Sequence, residues 1–201
     1  MSWYGNRWAR VTVYSAAGLA AGEGFFGWFS DVLEGHGEVG DAVGHLVGLP
    51  VGFAIFVGAM VAALRPGRRA AVAWFSLTAL LATAAYVVGF VVAGPPVDFA
   101  ASIAAAGVVS GLIQARTLRH RGVPGGGSSL AAAVLGYALG GVAGLAVVIP
   151  IAPHLPEGAL WYALTTGILG AVAGAVGGAV DGYILSRVWW TSGRLAHALA
   201  Q

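Results

Sequence analysis

Apolar residues run along this chain in stretches of about twenty, the length a helix needs to cross a hydrocarbon layer of about 30 Å. Six such stretches, over residues 11–33, 42–64, 70–94, 99–118, 129–149 and 158–188, predict six transmembrane helices. The segments between them are polar or rich in proline and glycine: "EGHGEVGD", "RPGRR", "GPPVD", "RHRGVPGGGSS" and "PIAPHLPEG". Proline lacks the backbone donor a helix needs, and glycine loses most entropy on ordering, so helices are expected to stop there. The expected fold is all-α: a polytopic membrane bundle forming one domain over residues 1–201.

The charges sharpen that picture. Arg7 and Arg10 precede the first stretch, and Arg65, Arg68 and Arg69 follow the second. Arg116, Arg119 and Arg121 mark the end of the fourth, Arg187 and Arg194 the end of the sixth. In a six-span chain all ten fall on one side, whereas Asp31, Glu34, Glu38, Asp41, Asp98 and Glu157 fall on the other. One miscounted span would send the later arginines across. Because cytoplasmic loops carry the excess of arginine and lysine, both termini are expected in the cytoplasm, with the chain in a bacterial inner membrane. The tryptophans suggest the same sorting, since an amphipathic indole favours the headgroup level. Trp3, Trp8, Trp74, Trp189 and Trp190 fall at the inner boundary, and Trp28 and Trp161 at the outer.

Composition removes whole classes of function. Only 9% of residues are charged and 58% are hydrophobic, against about 25% charged in a soluble domain. There is no cysteine, hence no disulfide, thiolate metal site or cysteine nucleophile. Every basic residue is arginine, which excludes lysine Schiff bases. The net charge of +2 is small, and no run of basic residues interleaved with aromatics suggests nucleic acid. The opening "MSWYGNRWAR" places arginines before an apolar run as a signal peptide does. Glu23, the large aromatics and the lack of an A-x-A cleavage site make it a retained span.

Glycines recur at four-residue steps: Gly170, Gly174, Gly178 and Gly182 in the sixth span, Gly136, Gly140 and Gly144 in the fifth, Gly44, Gly48 and Gly52 in the second. Such small-xxx-small seams let helix backbones approach closely in lipid. A repeat is also visible. "GLIQARTLRHR" aligns on "GAVDGYILSRV", pairing Gly111 with Gly178, Gln114 with Asp181 and Leu118 with Leu185. "GAMVAALRPGRR" keeps the leucine and the arginines but has no glutamine. Three helical hairpins, spans 1–2, 3–4 and 5–6, are expected from an old triplication. The pattern glycine–apolar–Gln–xxx–Leu–Arg in "GLIQARTLR", and "GAVGGAVDGYIL" with Asp181-Gly182 in place of the more usual Thr-Gly, resembles a loose group of Gly-rich multi-pass bacterial inner-membrane proteins. That resemblance covers spans four to six and implies architecture, with no catalytic residue.

Polar groups inside spans are costly and mark either an interhelical contact or a pathway. Asp181 lies six residues before Arg187, about 9 Å along a helix. Gln114, five residues before Arg119, sits at a similar depth on a face holding Gly107, Ser110 and Gly111. If these small faces pack together, the Gln114 amide donates to the Asp181 carboxylate. Glu23, thirteen residues past Arg10, belongs to the outer half, either neutral against another helix or open to an outer vestibule. His36, Glu38, Asp41 and His45 cluster in "EGHGEVGDAVGH" and are weak candidates for a divalent cation; a solvated acidic segment is the default, and no cofactor is expected.

Among function classes, an intramembrane serine protease fails: "VVSG" at Ser110 lacks the Gly two residues earlier, and spans five and six hold no histidine to act as base. The expected function is non-enzymatic, a structural, accessory or assembly subunit whose glycine faces pack on other membrane subunits or on itself. The alternative is a small ion, proton or solute transporter or channel using Glu23 and Asp181.

Overall fold

The computed structural model describes residues 3–34, 36–94, 97–156 and 159–198, without the side chains of residues 3–7, 38, 41, 159 and 189–198. Trp3, Arg7, Glu38, Asp41, Glu157, Trp189, Trp190 and Arg194, named above, therefore lie outside the described residues or side chains.

The described chain is helical almost throughout: α1 (Trp3–Glu34), α2 (Gly37–Leu64), α3 (Arg68–Ala93), α4 (Val97–His120), α5 (Gly126–Ile151) and α6 (Ala159–Ala198), with one 3₁₀ turn, Ala152–His154. Helices α2 to α6 are long and apolar enough to cross a membrane. The 32-residue α1 is as long but carries Ser15, Glu23 and Ser30, which lower its hydropathy and are all buried in the bundle. The helices outrun the apolar stretches. Most of "EGHGEVGD" is the first turn of α2, and α5 passes through Pro150 before its 3₁₀ turn. Polar flanks satisfy helix hydrogen bonds as well as apolar residues do, so hydropathy marks the lipid-matched part of a helix and not its ends.

Each helix packs on its neighbours in the chain, and α6 closes on α1 in the most extensive interface of all, so the six form a ring. Contacts between hairpins, α4–α5 and α6–α1, are at least as extensive as those within α3–α4, so the hairpins are not separate bodies.

The glycine seams make this closeness possible, and each is spent inside the ring. Gly170, Gly174, Gly178 and Gly182 face α1, at Leu19, Ser15, Thr12 and Trp8. Gly136, Gly140 and Gly144 face α6, at Gly177, Ala173 and Leu169; Gly107 and Gly111 face α5, at Tyr137 and Leu130. Gly44, Gly48 and Gly52 face α1, at Ser30, Phe26 and Gly22. The outer surface is aliphatic instead: Val13, Leu46, Leu80, Val91, Leu135 and Val142 are all exposed. This inverts a soluble fold and fits a lipid-facing exterior.

The inward faces of α2, α4 and α6 repeat. Counting back from Leu64, Leu118 and Leu185, which meet in one apolar cluster, the same spacings give Met60, Gln114 and Asp181, then Phe56, Ser110 and Gly177, then Phe53, Gly107 and Gly174. All of these are buried. The alignment of Gln114 with Asp181 becomes a physical meeting.

Helix α2 ends on Arg65 in the left-handed region, φ 50 and ψ 56, its N–H donating to the Val61 carbonyl at 2.8 Å. A side chain there costs about 1–2 kcal/mol, which glycine avoids. Arg65→Gly is expected to stabilise the fold by about 1 kcal/mol in an unfolding titration; a lower stability would show that the arginine side chain itself holds the turn.

Candidate functional site: a buried polar axis

Three arginines from different segments converge at one end of the ring. Arg10 of α1, Arg65 capping α2 and Arg121 in the α4–α5 turn line a cavity of about 360 Å³. Its floor is Gln114, behind which lies Asp181. The Gln114 Nε2 donates to Asp181 Oδ2 at 2.7 Å, and Ser129 Oγ donates to Gln114 Oε1 at 2.8 Å. Both ends of one amide are thereby committed, and helices α4, α5 and α6 are joined. Asp181 has no exposed surface, and its second oxygen, Oδ1, has no partner.

One level deeper the groups are hydroxyls. The Ser15 and Tyr137 hydroxyls bond each other at 2.8 Å across α1 and α5. The Tyr137 ring fits only because Gly107 and Gly177 leave space for it. Trp74 Nε1 donates to Ser110 Oγ at 3.2 Å. Trp74 is only 1% exposed, so it is a core residue and not the interfacial one expected; its indole donor is satisfied by a serine instead of a headgroup. The same bond occupies Ser110. Thr78, one turn on from Trp74, is fully buried with an unpartnered hydroxyl.

Near the opposite end a second carboxyl site holds Glu23 and Asp98, both buried and close enough to interact electrostatically. Asp98 Oδ1 accepts from the Phe99 N–H at 2.8 Å at the start of α4, where the helix dipole favours an anion. The Tyr86 hydroxyl lies beside this carboxyl, and the His45 ring packs 5.5 Å from Phe26 and 5.6 Å from Tyr86. Thr166 ties α6 to the backbone of Glu23 at 2.7 Å. Glu23 Oε2 and Asp98 Oδ2 are buried without partners.

Asp98 thus belongs to the interior and His45 is half-buried beside Phe26 and Tyr86, although the sequence places both in outer segments. A usable signal exists for Asp98: it is four residues before Ser102, on the buried face of α4. Of the candidate cation cluster, the Glu38 and Asp41 side chains lie outside those described. His36 is exposed in the α1–α2 turn, whereas His45 is about 13 Å further along α2 and turned inward. Among the described residues no group of three or more His, Cys, Asp or Glu side chains is placed to hold a metal ion.

Compared with models of protein families, with curated proteins and with solved structures, the chain matches none.

Proposed function

We propose that this chain is a non-enzymatic, six-span protein of the bacterial inner membrane, built from three repeated hairpins with both termini in the cytoplasm, and that it conducts protons along its axis between Glu23–Asp98 and Asp181. Helix α1 is counted as the sixth span because it runs beside α6 from Trp8 at Ala179 to Gly27 at Tyr162. The convergence of Arg10, Arg65 and Arg121 supports one arginine-bearing, cytoplasmic end.

The observation that carries the proton reading is the placement of buried carboxyl oxygens without partners at both ends of one ring. Each buried carboxylate costs about 2.5–3.5 kcal/mol on insertion scales, and a scaffold gains nothing from leaving its oxygens unpaired. Between the two sites stand the hydroxyls of Ser15, Tyr137, Ser110 and Thr78, groups that both give and take protons. The accessory-subunit reading loses its main support, since the glycine faces it assigned to partners are occupied within the ring. It retains one specific observation: α3 is the least covered span, with Val72, Leu80, Val88 and Val91 exposed.

The test is proton uptake into liposomes holding a pH-sensitive dye, driven by a potassium diffusion potential. Wild-type protein is expected to conduct, and Asp181→Asn and Glu23→Gln each to reduce the rate at least tenfold while remaining folded. A silent wild type, or undiminished rates in both folded variants, overturns the reading.

A further inference from the structure

The cavity at the arginine end stops one side chain short of Asp181. Its volume of about 360 Å³ is many times the ~10–15 Å³ that one water needs, and Arg10, Arg65, Arg121, Thr117 and Ser186 give it polar walls. Gly182, Leu185 and Ser186 of α6 line it, but their neighbour Asp181 takes no part in the described lining and has no exposed surface. The group that faces the cavity there is Gln114 of α4. Its Nε2 donates to Asp181 Oδ2 at 2.7 Å, and its Oε1 accepts from Ser129 Oγ at 2.8 Å. One amide therefore stands between a space for water and a buried carboxyl. An amide is poorly suited to pass a proton on: its nitrogen only donates and its oxygen only accepts, whereas a hydroxyl or carboxyl group does both. On the bundle side of Asp181 the polar group is such a hydroxyl, that of Tyr137, bonded to Ser15 and within electrostatic reach of the carboxyl.

We infer that Gln114 is a gate: it closes Asp181 off from water in the cavity, and it opens when Asp181 takes up a proton. What passes rests on the proton reading above; the closure does not. The arriving proton forms an O–H bond at Oδ1, the carboxyl oxygen that has no partner. Asp181 is then a neutral acid, and the bond from Gln114 loses its charge assistance, which makes such bonds roughly twice as strong as neutral ones. The amide swings into the cavity, and water takes its place beside the carboxyl. The Oδ1–H bond breaks to that water, which leaves through the cavity as hydronium. The carboxylate left behind regains its charge-assisted bond to Nε2, and the gate shuts. A purely structural clamp needs none of this and has no use for a water-sized space on its outer side.

Two readouts on the full chain test the gate. In detergent, a water-soluble carbodiimide with glycinamide modifies carboxyls that water-borne reagents reach, and peptide mass spectrometry locates the label. In wild type, Asp181 is expected to stay at background. In Gln114→Ala its labelling is expected to rise at least tenfold while Glu23 and Asp98 at the other end stay unchanged, which separates an opened gate from a loosened bundle. Gln114→Asn, an amide one methylene shorter, is the second variant in case alanine does not fold, with an expected rise of at least threefold. In liposomes, proton flux is expected to rise at least threefold in Gln114→Ala and also in Gln114→Glu, whose carboxyl can take and give the proton in place. A clamp with no gating role would lower the flux or leave it unchanged. Equal labelling of Asp181 in wild type and in the folded Gln114 variants overturns the inference. So does a conducting wild type whose flux rises in neither variant. A silent wild type with Asp181 labelled only in the Gln114 variants overturns conduction alone and supports the closure.

Discussion

Gly174→Leu is expected to abolish the folded protein. A Cβ at this position would lie 2.7 Å from the Ala16 Cα and nearer still to the Ser15 carbonyl oxygen. Both neighbours are backbone of α1, so no rotamer change relieves the clash. Helices α1 and α6 would have to separate along the interface that closes the ring. Overpacking a core commonly costs about 1–3 kcal/mol; Gly174→Ala is expected in that range, and leucine beyond it. The matched control is Gly58→Ala in α2, where a Cβ meets nothing nearer than the Phe75 ring edge at 3.9 Å. Replacing a helical glycine by alanine there is expected to stabilise by up to about 1 kcal/mol. Monodisperse yield and thermal unfolding separate the two. A well-folded Gly174→Leu would show that α1 and α6 do not pack as described.

The second large effect concerns the Gln114–Asp181 pair. Gln114→Leu leaves Asp181 Oδ2 without its donor and the Ser129 hydroxyl without its acceptor, both on fully buried residues. Stranded buried polar groups cost about 1–3 kcal/mol each, so a loss of about 3 kcal/mol is expected. Asp181→Asn keeps an oxygen where Gln114 donates and is expected to change stability by less than about 1 kcal/mol. The double variant Gln114→Leu, Asp181→Leu removes both partners and is expected to recover most of the loss, as buried polar pairs replaced by apolar groups often do. Unfolding free energies of the four proteins form the cycle. Full stability in Gln114→Leu alone would show that this bond contributes nothing to the fold.

Much of this was legible in the chain because membrane helices obey a harsh rule: every backbone group must pair within its own segment. Apolar length therefore located all six helices, five of them long and apolar enough to cross a membrane. The depth of Asp181 and Gln114 could be read by counting residues to Arg187 and Arg119, and their faces from neighbouring glycines. The bond between them follows from those two readings. Ring closure was not legible. Gly174 announces a close contact but not that Ser15 of α1 is its partner, since any small face satisfies a glycine. Trp74 was misplaced because an indole five residues from Arg69 fits the headgroup level as well as it fits a serine in the core. Asp98 and His45 were hidden for a related reason. Polar residues beside a proline–glycine break or an acidic segment look like loop; the extension of α4 past its apolar stretch carries Asp98 inside, whereas His45 lies within the second stretch and is masked only by the acidic segment before it.

A closed ring of six spans is proposed to carry its arginine end, and both termini, on the cytoplasmic side, which surface labelling tests directly. The chain contains no cysteine, so single-cysteine variants report without background. Ser2→Cys, His36→Cys, His154→Cys and Gln201→Cys would be treated in intact spheroplasts with a membrane-impermeant maleimide. Labelling is expected at positions 36 and 154 from outside, and at positions 2 and 201 only after permeabilisation. Labelling of either terminus in sealed spheroplasts would contradict it.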